Sequence, residues 1–92
     1  MKFEWQGTKA AINLQKHGVS FDEAATVFAD TLSHVFPDQD HSDDETRFLI
    51  IGMSEAGRVL VVSHTDRGER TRIISAREAS RKEAETYFTR RR

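Results

Sequence analysis

Arginine and aliphatic residues alternate along Arg70-Thr71-Arg72-Ile73-Ile74-Ser75-Ala76-Arg77, and the run passes into a basic stretch with helical spacing. A guanidinium is permanently charged and offers a planar fork of donors, so a strand bearing arginines suits phosphate binding. His64 lies shortly upstream. An imidazole can serve as acid or base at neutral pH. RNA phosphodiester chemistry needs that combination: a base for the 2′-hydroxyl proton, an acid for the leaving 5′-oxygen and positive charge on the crowded phosphate. The same alternation also describes an ordinary half-exposed strand with a solvated face, and His64 alone also reads as a satisfied strand histidine.

Whether these groups meet depends on a hairpin. Asp66-Arg67-Gly68 fits a three-residue loop with Gly68 at the left-handed bulge position. That loop pairs His64 with Arg70 and Val62 with Arg72. One face then carries Leu60, Val62, His64, Arg70, Arg72 and Ile74, and the uncharged face Val59, Val61, Ser63, Thr71, Ile73 and Ser75 is left for helices to cover. A two-residue Arg67-Gly68 loop would instead set His64 opposite Thr71, away from Arg72.

The elements that must hold this hairpin read as follows. Lys2-Phe3-Glu4-Trp5 alternates as a short strand presenting Phe3 and Trp5 to a core. Thr8 caps a helix over Lys9 to His17, stopped by Gly18. Ser20 and Glu23 form a capping box for a second helix, Phe21 to Ala29, that buries Phe21, Ala24, Ala25, Val27 and Phe28. Ser33-His34-Val35-Phe36 is a strand ended by Pro37, and residues 38–45 form an acidic loop. Arg47 to Met53 is a continuous apolar run, as in a strand covered on both faces. Val59 to His64 and Arg70 to Ala76 complete the sheet. A second capping box, Ser80 and Glu83, starts a final helix with Ala84, Tyr87 and Phe88 inward. This order gives an α+β fold: a single antiparallel meander with two N-terminal helices and one C-terminal helix, packed on one face.

Ninety-two residues point to one domain, 1–92. With no cysteine, neither disulfides nor thiolate metal sites are available, and the absence of a signal sequence or long apolar segment points to the cytoplasm. The net charge of −1 hides an asymmetry. Residues 1–57 hold four basic side chains against ten acidic ones, and residues 58–92 hold ten against five. A basic half of this kind suits a polyanion or an acidic partner, although two solvated faces of opposite sign give the same count.

Spaced matches along nearly the whole chain resemble the BrnT family, toxins of bacterial type II toxin–antitoxin systems. They are Phe3-Glu4-Trp5, Lys9-Ala10, Asn13, Lys16-His17-Gly18-Val19, Phe28-Ala29-Asp30, Glu45-x-Arg47, Ile51-Gly52, Gly57-Arg58-x-Leu60-Val61-Val62 and Arg72-Ile73-Ile74-Ser75-Ala76-Arg77-x-Ala79. Gln6, where the family usually has Asp, and the terminal Arg90-Arg91-Arg92 depart from the pattern. The resemblance implies a RelE-like ribonuclease fold acting on RNA with no metal or other cofactor. It also implies neutralisation by a BrnA-like antitoxin with a ribbon-helix-helix part, through which alone operator DNA would be contacted. Carried over by position, it implies functional roles for Lys9, Lys16, His17, Glu45, Arg47, Arg72 and Arg77. Lys16 and His17 also complement a helix dipole, and Glu45 and Arg47 also read as a simple surface pair with each other.

The expected function is therefore a metal-independent endoribonuclease toxin. Its candidate catalytic residues are Arg72, Arg77, His64, His17 and Glu45, and its candidate substrate-binding residues are Lys9, Lys16, Arg47 and Arg70. The rival is a non-enzymatic module that docks an acidic antitoxin segment and acts in operon autorepression. A metal nuclease using Asp38, Asp40, Asp43 or Asp44 is a third reading, weakened by the lack of EF-hand spacing.

Overall fold

The computed structural model describes residues 1–39 and 45–90. Five strands form one sheet: β1 (Lys2–Glu4), β2 (His34–Pro37), β3 (Arg47–Met53), β4 (Val59–Arg67) and β5 (Arg70–Glu78). Helices α1 (Gly7–His17) and α2 (Phe21–Thr26) separate β1 from β2, with a 3₁₀ turn at Val27–Ala29, and α3 (Arg81–Arg90) closes the chain. The strand order is β1-β5-β4-β3-β2.

The fold is α+β, but two expectations fail. The last four strands form the antiparallel meander, whereas β1 pairs with β5 in parallel, so the sheet is mixed. The reason is the chain path. After β1 the backbone turns through α1 and α2 and returns to the far edge of the sheet, which leaves β1 beside the last strand running the same way. The helices also divide between the faces. Val19, Phe21, Ala24 and Val27 pack on Ile50, Leu60, Val62, Ile73 and Ala76 on one face, while Tyr87 of α3 packs with Ile51 and Val61 on the other. Adjacent residues of β3 and β4 feed both cores, as a continuous apolar run allows.

Local signals mostly behave as read. Gly18 takes the left-handed conformation, φ 69°, and its N–H donates to the Leu14 carbonyl. Ser20 accepts from the Glu23 N–H, and Ser80 and Glu83 satisfy each other's backbone N–H groups as a complete capping box. The start of α1 differs: Gln6 is its N-cap and no side chain caps it. The second helix is α only to Thr26 and tightens to 3₁₀ beyond it. Phe88 stays exposed, while Tyr87 is buried and donates its hydroxyl to Asp30 Oδ2.

Beyond Arg72, β5 has no strand on its outer side among the described residues, and Asn13 of α1 supplies the missing partner. Its Nδ2 donates to the carbonyls of Ala76 (2.8 Å) and Val19 (3.0 Å), and its Oδ1 accepts from the Ala76 N–H at 3.1 Å. One buried amide thus satisfies both backbone groups of an edge residue and fixes α1 along the strand. Among the described residues, no helix is long and apolar enough to cross a membrane. Asn13→Ala leaves three buried backbone groups without their partner, and we expect a loss of about 2 kcal/mol. Thermal melting should fall by roughly 10 °C, and a fall of under about 3 °C would show that the edge is satisfied some other way.

Candidate active site

The β4–β5 register decides which side chains share a face, and it differs from both hairpins considered. The loop is the two-residue turn Gly68-Glu69, with Arg67 opposite Arg70. Gly68 has φ 62° at the first central position, where a tight hairpin turn reserves a place for glycine. A bulge then interrupts the ladder. Ser63 faces Ser75 and His64 faces Ile73, so Ile74 is the extra residue on β5.

As a result His64 and Arg72 lie on opposite faces, and the proposed grouping of the two is corrected. His64 is buried beneath the α1/α2 layer, edge-on to Phe28 (4.9 Å between centroids) and stacked on Phe48 at 5.8 Å. Burial pushes its pKa below the ordinary value, against the opposing pull of the Val62 carbonyl and the Asp66 charge. It belongs to the core. Of the set assigned to the helix-covered face, only Ile73 and Thr71 are buried beside it; Ser63 and Val61 point the other way.

Arg72 sits opposite Thr65 on β4 and Glu4 on β1, and Arg47 lies opposite the same Thr65 on β3. At roughly 4.8 Å per strand spacing, Arg47 and Arg72 flank Thr65 about 10 Å apart on the face away from α1 and α2. Arg72 Nε donates to Glu4 Oε2 at 3.0 Å, with both side chains about a quarter exposed. Among the described residues its two terminal nitrogens make no hydrogen bond, so the fork is available to an anion.

The bulge residues Ile74 and Ser75 are the common floor of two clefts. One, of about 330 Å³, is walled by Arg47, Arg77, Asp38 and Ser63. The other, of about 210 Å³, lies under α1 and is walled by Lys9, Lys16 and His17. Two helical turns of basic side chains are therefore brought to the strand position from which the arginine-lined cleft opens.

Not every arginine is available. Arg77 gives both terminal nitrogens to Glu83 of α3, at 2.7 and 2.9 Å. This pair raises the Arg77 pKa and holds the Glu83 carboxyl down at about 2. Arg67 bonds Glu45 at 3.3 Å, so Glu45 pairs with Arg67 rather than with Arg47. Arg70 is exposed near the hairpin turn. Arg58, which the sequence showed only as part of a motif, bonds Glu23, Glu78 and the Gly18 carbonyl. That network lowers the Glu23 pKa and ties the α1–α2 corner to β4 and β5.

Residues 5–83 match the family model described as the ribonuclease toxin BrnT of type II toxin–antitoxin systems. The chain belongs to this family. A crystal structure of the Brucella abortus ribonuclease toxin BrnT is similar at a TM-score of 0.70 and 27% identity, covering 88% of this chain and 99% of that one. No curated protein matches. Membership in the BrnT family makes this a toxin-family chain whose system includes an antitoxin.

Sequence reasoning missed Glu4 as the partner of Arg72. The alternation of Lys2-Phe3-Glu4-Trp5 already turned Glu4 away from the core, but its meeting with Arg72 needs the parallel β1–β5 pairing. Of the acidic loop, Asp40, His41, Asp43 and Asp44 lie outside the described residues, as do Arg91 and Arg92. Among the described residues no cluster of three His, Asp or Glu side chains could hold a metal ion.

Stability should respond to acid in two windows. His64 has a folded pKa below 6.5, so the unfolded chain binds its proton more readily and stability declines as pH falls below about 6.5. Glu83 has a folded pKa of about 2 against 4.5, so its contribution is complete above 4.5 and disappears as pH falls toward 2. In melting curves recorded across this range, His64→Leu should flatten the first decline and Glu83→Gln should reduce the second. Unchanged slopes in these variants would reassign the linkage.

Proposed function

We propose that this chain, 1–92 as one toxin domain, is a metal-independent endoribonuclease that cleaves RNA by 2′-hydroxyl attack and leaves a cyclic phosphate. The observation carrying this reading is the Arg72 guanidinium, held by one edge on an open sheet face with its terminal nitrogens uncommitted among the described residues. A fork of that kind can grip two phosphate oxygens and neutralise charge as the phosphorus becomes crowded. Arg47 and Arg70 on the same sheet, with Lys9 and Lys16 along α1, supply a basic track for the flanking phosphates. His17 and Glu45 remain proton-transfer candidates. His64 does not, since its ring is enclosed by Phe28 and Phe48.

Arg77 needs its own account. A surface pair with Glu83 is worth at most about 1 kcal/mol, so an RNA phosphate can displace the carboxylate. A BrnA-like antitoxin with a ribbon-helix-helix part neutralises the toxin, and operator DNA is reached only through it. The cytoplasm, where RNA and antitoxin are both found, is the fitting compartment.

The second reading is a non-enzymatic antitoxin-binding module acting in autorepression. It is favoured by the internal pairing of Arg58, Arg67 and Arg77, which leaves fewer cations for substrate. Purified chain incubated with RNA in chelator separates the two. The nuclease reading expects cleavage with 2′,3′-cyclic phosphate ends, and a loss of at least about 100-fold in Arg72→Ala, equivalent to about 2.7 kcal/mol. Salt-dependent RNA binding without cleavage would favour the module. Cleavage abolished by chelator would revive a metal site that includes Asp38.

A further inference from the structure

We infer that Glu4 is the base that takes the 2′-hydroxyl proton, so that Glu4 and Arg72 act as a pair, one on the nucleophile and one on the phosphate. This rests on the nuclease reading above. Glu4 lies one residue ahead of the span matched by the family model, and its case is geometric.

Three carboxylates bond arginines among the candidate site residues, and they differ in what they have left. Glu83 spends both oxygens on Arg77. Glu45 likewise gives one oxygen, Oε2, but to Arg67 at the hairpin end of β4 rather than to Arg72. Glu4 gives only Oε2 to Arg72 Nε, and its Oε1 makes no hydrogen bond among the described residues. Direct pairing of Glu4 with Arg72 in the β1–β5 ladder puts both side chains on one face, and each keeps about a quarter of its surface open to solvent.

The contact through Nε matters. It occupies the side edge of the guanidinium, fixes its plane and leaves the terminal nitrogens for phosphate oxygens. A phosphate seated there brings the adjoining ribose alongside the carboxylate. Oε1 accepts the 2′-hydroxyl proton and the 2′-oxygen forms its bond to phosphorus. The bond from phosphorus to the 5′-oxygen breaks, that oxygen keeps the electron pair, and it takes a proton from water. Glu4 then returns its proton to solvent. The products are a 2′,3′-cyclic phosphate and a 5′-hydroxyl, with no co-reactant consumed.

The test is steady-state cleavage of a short RNA by the purified chain in chelator. In Glu4→Gln the amide oxygen can still accept from Arg72 Nε, so KM should stay within about threefold while kcat falls by at least about 100-fold. In Glu4→Ala, added formate should restore at least about tenfold of the lost rate by standing in for the missing carboxylate. Three results would each overturn the assignment: kcat within threefold of wild type in Glu4→Gln, a rise in KM matching that of Arg72→Ala, or no response to formate in Glu4→Ala. The first would mean that the base lies elsewhere, and the second that Glu4 only holds Arg72. Failure of the underlying reading looks different, because the wild-type chain itself would then leave RNA uncut.

Discussion

The pairing of β4 with β5 is the constraint on which the rest of the site depends. A two-residue turn at Gly68-Glu69 sets one register, and the extra residue Ile74 shifts it by one before the strands end. Each step of one residue exchanges the faces of all that follows. On the turn side of the bulge, Arg72 points to the open face and Ile73 to the α1/α2 core. On the other side, Ala76 enters that core and Arg77 turns to the α3 face. Two arginines five residues apart thereby share a face that strict alternation would have divided between them. The bulge also bends the strand where Ile74 and Ser75 become the floor of both clefts.

The basic half of the chain is less uniformly available than its charge suggests. Arg58 is absorbed in a four-way junction, Arg77 in a bidentate pair and Arg67 in a contact with Glu45. These pairings draw acidic residues from both halves, which is how a chain so polarised in sequence reaches local neutrality in the fold. Arg72 stands apart because its carboxylate partner holds only one edge. In the proposed nuclease, charge left over after internal pairing, rather than total charge, would mark the place for a phosphate.

Asn13 connects architecture to site. A parallel strand of three residues covers only the first part of the β5 edge, and the side-chain amide of a helix residue completes the next part. The consequence is positional. Asn13 brings α1 alongside the bulge, so Lys9, four residues before it, and Lys16 and His17, three and four residues after it, overhang Ile74 and Ser75 from the same helical face. Sequence placed these residues on one helix; the hydrogen bonds to Ala76 show which strand that helix is laid against.

Features governed by a few neighbouring residues were legible in the sequence alone. The stop at Gly18, the N-cap at Ser20, the capping box at Ser80, the burial of Phe21 and Val27, the five strands and the resemblance to BrnT all rest on short-range chemistry or on spaced matches that need no coordinates. Tertiary structure decided the rest. The parallel seat of β1, the division of helices between faces, the Ile74 bulge, the burial of His64 and the meeting of Glu4 with Arg72 depend on residues up to 68 positions apart. A period-two pattern fixes which residues of an unbroken strand share a face but carries no information on where a bulge or a slipped partner shifts it by one. Because His64 and Arg72 are separated by a turn and a bulge, only the folded backbone could assign them to opposite sides.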